Sequence, residues 1–210
     1  MDRETRVNLT LYAVTDRRWT SSLKDDVESA IKGGATMVQL REKDIPEEEF
    51  VTLAKDIKRI TDRYGIPLMI NDNVNVAMEV NAAGVHIGQS DGNVADVRKR
   101  IGNKILGVSV RTVEQAGKAE ADGADHLGCG AIFGTLSKDD AGSVSMDTLK
   151  AICRAVSIPV VAIGGISRDN ITQLKGTGIK GVAVISAVFA QEDIEKAAKK
   201  LRELSESVIS

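Results

Sequence analysis

The sequence has few aromatic residues and no large excess of charge of either sign. Phenylalanine, tyrosine and tryptophan make up 3% of the 210 residues, which is too few for the aromatic platforms that stack on single-stranded nucleic acids. Lysine and arginine number 28 against 30 acidic residues, for a net charge of −2. Because such a chain lacks the basic surface of nucleic-acid-binding and polybasic membrane proteins, we expect neither partner.

Cysteine and long apolar runs are also scarce. Cys129 and Cys153, the two cysteines, fall on different predicted elements, which favours reduced structural thiols over a disulfide framework or a zinc site. No apolar run approaches the ~20 residues of a membrane-spanning helix, and residues 1–9 lack the apolar core of a signal peptide. We therefore predict a cytoplasmic protein. Its length suits one core, so we expect a single domain over residues 1–210.

Short apolar runs alternate with amphipathic stretches along the whole chain. The predicted strands span 9–15, 37–41, 67–70, 84–87, 105–110, 126–133, 158–163 and 181–185. Amphipathic helices are predicted over 47–64, 94–101, 113–122 and 146–156, with a covering helix over 191–210. This alternation indicates parallel βαβ units, and eight units close a (β/α)8 TIM barrel, which is the predicted fold. The alternative is an open doubly wound sheet, but that needs fewer strands, and no G-x-G-x-x-G motif follows the first one.

In such a barrel the chemistry lies at the carboxyl ends of the strands, where this sequence concentrates polar residues. In VQLREKD, residues 38–44, strand alternation places Gln39, Arg41 and Lys43 on one face. Surface ion pairs with the neighbouring acidic residues are the alternative for the two cations. Their shared face with an amide favours an anion site.

Two carboxylates end adjacent strands. Asp72 follows the third strand and Asp91 the fourth. Separately, Asp72 could cap a helix over 74–80 and Asp91 could be a turn residue. Together they form a site of hard oxygen ligands suited to Mg²⁺, which takes one or two carboxylates plus substrate phosphate oxygens.

The loops after the sixth, seventh and eighth strands supply further candidates. Gly164-Gly165 with Ile185-Ser186 occupies the common phosphate position of these barrels, where missing side chains let backbone N–H groups reach an anion; a tight turn is the alternative. Thr135, Ser137 and Lys138 predict a lid with hydroxyls and a cation, or else a solvated loop. His86, His126 and Cys129 are predicted to be structural.

A metal site, several cations or amides and a separate phosphate cradle together suggest two anionic substrates. No nucleophile–base pair and no redox motif accompanies them. Displacement of pyrophosphate fits this set, because cations and Mg²⁺ stabilise the charge that develops on the leaving group. In this hypothesis Arg41 and Lys43 bind a diphosphate.

The chain resembles the thiamine phosphate synthase family from residue 11 to the last helix. The resemblance lies in the motifs VQLREK (38–43), NDN (71–73), GVHIGQSD (84–91), GVS (107–109), TLSK (135–138), AIGGI (162–166) and VIS (184–186). It implies a barrel enzyme that joins hydroxymethylpyrimidine diphosphate to thiazole phosphate with Mg²⁺, giving thiamine phosphate and pyrophosphate. It also implies a dissociative reaction, in which a pyrimidine methylene cation forms before the thiazole nitrogen attacks.

The resemblance also implies roles for individual residues. Asp72 and Asp91 would bind Mg²⁺, and Ser109 and Lys138 would be catalytic contacts of the pyrimidine diphosphate. The remaining substrate-binding positions fall into two sets: Gln39, Leu40, Arg41, Glu42, Lys43 and Asn71 for the pyrimidine diphosphate, and Thr135, Leu136, Ser137, Gly165, Ile185 and Ser186 for the thiazole phosphate.

The predicted lid departs from the family pattern. Ala131 and Gly134 replace two prolines and Ser137 replaces a threonine, so we expect a looser loop that keeps its hydroxyl. A related class with this barrel tautomerises a thiazole carboxylate phosphate using a histidine in the sixth-strand loop, which has no histidine here. A barrel that only binds a phosphorylated ligand is the other alternative. The oligomeric state and the choice between carboxylated and decarboxylated thiazole phosphate stay open.

Overall fold

A computed structural model describes residues 7–43, 45–134 and 143–209. Eight parallel strands close a barrel in chain order, with β1 paired to both β2 and β8. This confirms the predicted (β/α)8 barrel. The strands are β1 (Leu11–Val14), β2 (Met37–Leu40), β3 (Leu68–Asn71), β4 (Gly84–Ile87), β5 (Ile105–Val110), β6 (His126–Gly130), β7 (Val160–Ile163) and β8 (Gly181–Val184).

Helices cover the outside of the barrel. They are α1 (Leu23–Lys32), α2 (Glu47–Arg63), α3 (Val74–Glu79), α4 (Val94–Ile101), α5 (Val113–Ala121), α6 (Met146–Ala155), α7 (Ser186–Phe189) and α8 (Ile194–Ile209). Between β7 and β8 the described chain forms a short 3₁₀ helix, Ile171–Leu174, where the other units carry an α-helix. In the described part of the chain, no helix combines the length and the apolar character that a membrane span requires.

Strand alternation divides the apolar residues into two clusters. Side chains such as Leu106 and Val108 of β5 point outward and pack beneath the helices. The inward-facing side chains fill the barrel itself, as expected for a small closed barrel; this interior cluster contains Leu9, Tyr12, Val14, Met37, Met69, Val161, Ala183 and Ile185. Residues of the inward set that lie beyond the carboxyl ends of the strands therefore face the open end of the barrel.

Two histidines lie within the barrel interior beside Tyr12. The His86 and His126 ring centroids are 5.6 Å apart, and that of Tyr12 is 5.8 Å from that of His126. His126 is fully buried, and neither of its ring nitrogens has a hydrogen-bond partner among the described residues. Burial lowers the pKa of His126 to about 4, although nearby Asp125 opposes this shift. His126 is therefore neutral in the folded protein at pH 7.

We expect His126 to make the protein less stable in acid. Below its ordinary pKa of 6.5, the unfolded chain binds a proton that the folded chain excludes. The free energy of unfolding should fall between pH 6.5 and about 4, by on the order of 3 kcal/mol from this group. Urea unfolding at pH 7 and pH 4.5 measures the loss. His126→Gln should lose less stability over that interval, and an identical loss in both proteins would contradict the assignment.

Candidate active site

A cavity of about 480 Å³ opens at the carboxyl ends of the strands. Its lining combines residues at or just after the ends of β2–β5 with residues at or just after the ends of β7 and β8, two sets that lie on opposite sides of the closed barrel. Ten of the predicted metal- and substrate-binding residues line it: Arg41, Lys43, Asn71, Asp72, Asp91, Ser109, Gly164, Gly165, Ile185 and Ser186. The predicted cation, carboxylate and phosphate groups thus share one cavity.

Arg41 is held firmly in the cavity wall. It is 9% exposed, its backbone N–H donates to Thr15 Oγ1 at 3.0 Å, and its Nη1 lies 3.9 Å from Asp16 Oδ2. Burial acts to raise the pKa of Asp16, but hydrogen bonds from Arg18 and the charge of Arg41 give a net lowering. Asp16 is therefore an anion that orients Arg41, while Lys43 is exposed.

The other members of the 39–43 stretch do not line this cavity. Gln39 lies lower in the barrel, where its Nε2 donates to the Tyr12 hydroxyl at 2.7 Å. Leu40 is fully buried in the outer core. Glu42 points away as well, with its Oε2 2.8 Å from Arg17 Nε, and burial raises its pKa. Any substrate contact of Leu40 must come from its backbone.

The backbone at Asp72 rules out one of its two interpretations. Asn73 caps α3, because its side chain accepts from the Val76 N–H at 3.0 Å; Asp72 is not the cap. Asp72 has a φ of 61°, a left-handed conformation that few non-glycine residues adopt and that often marks functional sites. The carboxylate accepts from Asn71 Nδ2. This conformation places Asp72 in the cavity lining at the end of β3.

Asp91 both lines the cavity and closes a turn. Its Oδ2 accepts from the Gly88 N–H at 2.7 Å, and its Oδ1 accepts from Ser90 Oγ at 3.3 Å. The alternative role as a turn residue is thus present in the structure. Each oxygen retains a further lone pair, so these bonds leave the carboxylate able to bind a cation.

The backbone that follows β6 packs closely against the paired glycines after β7. Gly164 and Gly165 have φ values of 100° and 65°, and a Cβ on Gly165 would lie 2.0 Å from the Gly134 carbonyl oxygen. A Cβ on Gly164 would lie 2.5 Å from the Ala131 Cα. The chain after β6 therefore packs directly on this turn, which by itself requires both glycines. Phosphate binding here stays a prediction.

Several cavity-lining residues had no predicted role in substrate binding, and one of them, His86, was predicted to be structural. His86, Gln89, Ser90, Arg111 and Gln115 all line the cavity. The inward position of His86 follows from alternation within β4, because Val85 and Ile87 on either side of it are apolar and pack in the outer core. Thr135, Leu136, Ser137 and Lys138 lie outside the described residues, so their predicted roles rest on the sequence.

Gly107 has no side chain, and the rings of the two interior histidines occupy the space that a side chain would fill. A Cβ there would lie 2.4 Å from His86 Nδ1 and 2.5 Å from His126 Nε2. Since both rings would have to shift, we expect Gly107→Ala to lower the free energy of unfolding by ~1–3 kcal/mol. In α5, Gly117 has open space at the same position, so Gly117→Ala should instead stabilise by ~0.5–1 kcal/mol. Urea denaturation checks both; equal effects would contradict this packing.

Comparison of the chain with known proteins identifies its family. The family model described as "Thiamine monophosphate synthase" matches residues 11–188. The thiamine-phosphate synthase of Clostridium tetani is 56% identical over 198 residues, which cover 93% of this chain and 95% of that protein.

The chain belongs to the thiamine monophosphate synthase family. The thiamine-phosphate synthase of Ruminiclostridium cellulolyticum is 52% identical over 96% of this chain and 97% of its own. The solved structure of a thiamine phosphate pyrophosphorylase from Pyrococcus furiosus superposes with a TM-score of 0.91 at 39% identity, covering 99% of both chains. The resemblance inferred from the motifs is thereby confirmed, as is the assignment to a transferase family of thiamine biosynthesis.

Proposed function

We propose that this barrel condenses hydroxymethylpyrimidine diphosphate with thiazole phosphate, releasing thiamine phosphate and pyrophosphate. The observation that carries the proposal is that Arg41 and Lys43 line the same cavity as Asp72 and Asp91. Two cations and two carboxylates suit a diphosphate bound together with a divalent ion. The cations follow β2 and the carboxylates follow β3 and β4, which are consecutive strands of the closed barrel.

The carboxylates fit Mg²⁺ better than a softer metal. Both donors are hard oxygens, which Mg²⁺ prefers, and the described residues contain no group of three or more His, Cys, Asp or Glu placed to enclose an ion. An open site of this kind matches Mg²⁺, which usually keeps several waters and shares substrate phosphates. Asp72 and Asp91 would hold the ion, which would add positive charge beside the departing pyrophosphate.

In the proposed reaction, the bond from the pyrimidine methylene carbon to the diphosphate oxygen breaks first. Its electron pair leaves with pyrophosphate, whose charge Arg41, Lys43 and the predicted Lys138 stabilise. The lone pair of the thiazole nitrogen then forms the new C–N bond to the methylene carbon. Asn71 orients the pyrimidine diphosphate, and Ser109 contacts its phosphates.

The acceptor occupies the opposite side of the cavity. We assign the thiazole phosphate to Gly165, Ile185 and Ser186, which line that side, together with Thr135, Leu136 and Ser137. Holding two reactants in one cavity converts a bimolecular step into an effectively unimolecular one. Both substrates are small phosphorylated metabolites, and the two cysteines are free thiols, which fits a cytoplasmic reaction.

A turnover assay with both substrates tests this proposal. We expect pyrophosphate release only when both substrates and Mg²⁺ are present, with chelation abolishing it. Running the assay with carboxylated and decarboxylated thiazole phosphate identifies the acceptor. Conversion of the carboxylated compound without pyrophosphate release would instead indicate a tautomerase. Binding of either substrate without any conversion would indicate a barrel that only binds a phosphorylated ligand.

A further inference from the structure

The Ser109 side chain is within hydrogen-bond distance of a histidine in the barrel interior. His86 Nε2 lies 3.0 Å from Ser109 Oγ, between adjacent strands β4 and β5. His86 is 8% exposed, and both residues line the cavity. The Ser109 backbone carbonyl in turn accepts from Gln89 Nε2 at 2.7 Å. Two hydrogen bonds, one to its side chain and one to its backbone, therefore hold Ser109 in place.

The direction of the His86–Ser109 hydrogen bond decides what Ser109 can do. A hydroxyl has one proton, whereas a diphosphate oxygen only accepts. If Ser109 donated to the imidazole, it would have no proton left for the ligand. If His86 donates from Nε2, the hydroxyl proton is free to turn toward an anion in the cavity.

We infer that His86 is a positioning residue, which donates from Nε2 to Ser109 and so directs the serine proton toward a phosphate oxygen of the ligand. The inference rests on the proposed function for the nature of that ligand. His86 need not touch the substrate, because its effect passes through one hydroxyl. Hydrogen bonds between neighbouring groups in a cavity of low dielectric constant reinforce each other, so the loss of one weakens the next.

Glycines on neighbouring strands make room for the His86 ring inside the barrel. A Cβ on Gly107 would lie 2.4 Å from His86 Nδ1, and one on Gly128 would lie 3.2 Å from its Cε1. The next two strands along the barrel, β5 and β6, therefore carry glycine where the ring packs. The neighbouring His126 offers a contrast, because it is also buried but does not line the cavity.

A double-mutant cycle on pyrophosphate affinity tests the inference. Inorganic pyrophosphate with Mg²⁺ is titrated into the wild type, His86→Leu, Ser109→Ala and the double variant. We expect Ser109→Ala to bind more weakly by roughly tenfold or more, the range for a hydrogen bond to a charged group, and His86→Leu to bind more weakly by up to the same factor. The double variant should bind no more weakly than Ser109→Ala, because His86 acts only through Ser109. Additive losses would overturn the inference.

Conservative variants distinguish positioning from packing. The glutamine amide reaches about as far as Nε2 and can donate, so His86→Gln should restore most of the affinity. The shorter His86→Asn is polar but cannot reach Ser109, and it should resemble His86→Leu. If His86→Leu does not fold, the contrast between these two variants decides the question, and equal affinities would contradict the inference. His126→Gln is the matched control, whose pyrophosphate affinity should equal that of the wild type.

These results separate the inference from the proposed function. Wild-type turnover that releases pyrophosphate, combined with an additive cycle, would reject only the role of His86. If the wild type shows no turnover but the losses of pyrophosphate affinity in the cycle are not additive, the role of His86 is supported and the proposed reaction is rejected.

Discussion

Asp91→Asn is expected to lower turnover by about two orders of magnitude or more while the protein stays folded. The substitution removes one negative charge from the proposed Mg²⁺ site and keeps the size of the side chain. Asparagine retains a side-chain oxygen that can accept from the Gly88 N–H, as Asp91 does at 2.7 Å. The turn should therefore survive, and only cation binding should suffer. Steady-state assays over a range of Mg²⁺ concentrations, with thermal melts, measure the two effects.

Rescue by the metal distinguishes the two roles of Asp91. If its charge binds the ion, raising the Mg²⁺ concentration should restore part of the activity of Asp91→Asn. Full activity of the variant at low Mg²⁺ would show that Asp91 serves the turn alone, since asparagine suits turns equally well. Asp96→Asn, an exposed carboxylate on α4, is the matched control and should behave as the wild type.

Lys43→Ala is expected to weaken binding of the pyrimidine diphosphate by roughly tenfold or more. A charge-assisted contact contributes on the order of 1.5–3 kcal/mol, and its loss should leave thiazole phosphate binding nearly unchanged. Lys43 is preferable to Arg41 for this test, because Lys43 is exposed whereas Arg41 is buried beside Asp16. Removing Arg41 would also leave the Asp16 carboxylate with one fewer cation.

Titration calorimetry with each substrate measures this effect. Lys99→Ala controls for the loss of one positive charge, because Lys99 is exposed on α4 and pairs with Asp96. Its affinities should match those of the wild type. Unchanged diphosphate affinity in Lys43→Ala would reject the assignment, and an equal loss for both substrates would indicate a general electrostatic effect.

The barrel could be predicted because its signals are local. Eight apolar runs separated by amphipathic stretches fix the number of strands, and β4 and β5 match their predicted limits of 84–87 and 105–110. The predicted strand over 126–133 was too long, since β6 ends at Gly130. Apolar residues continue to Phe133 there, but they cover the turn at Gly164 and Gly165. Hydrophobicity alone does not distinguish these two environments.

Within the site, strand alternation predicted only part of the cavity lining. It placed Gln39, Arg41 and Lys43 on one face; Arg41 and Lys43, which follow the end of β2 at Leu40, line the cavity, whereas Gln39 lies lower and donates to Tyr12. The neighbouring Glu42 shares their motif, yet it faces away and pairs with Arg17, a partner that is distant in sequence. The contact between His86 and Ser109 also depends on the register of β4 against β5, which periodicity within one strand does not specify.

The most direct test of the account is a calorimetric titration of inorganic pyrophosphate into the wild-type protein, with and without Mg²⁺. If Arg41 and Lys43 share a diphosphate with an ion held by Asp72 and Asp91, pyrophosphate should bind tightly with Mg²⁺ and much more weakly after chelation. Mg²⁺ alone should bind weakly, because two carboxylates supply too few ligands for its octahedral shell. Pyrophosphate affinity that is the same with and without Mg²⁺ would contradict the account.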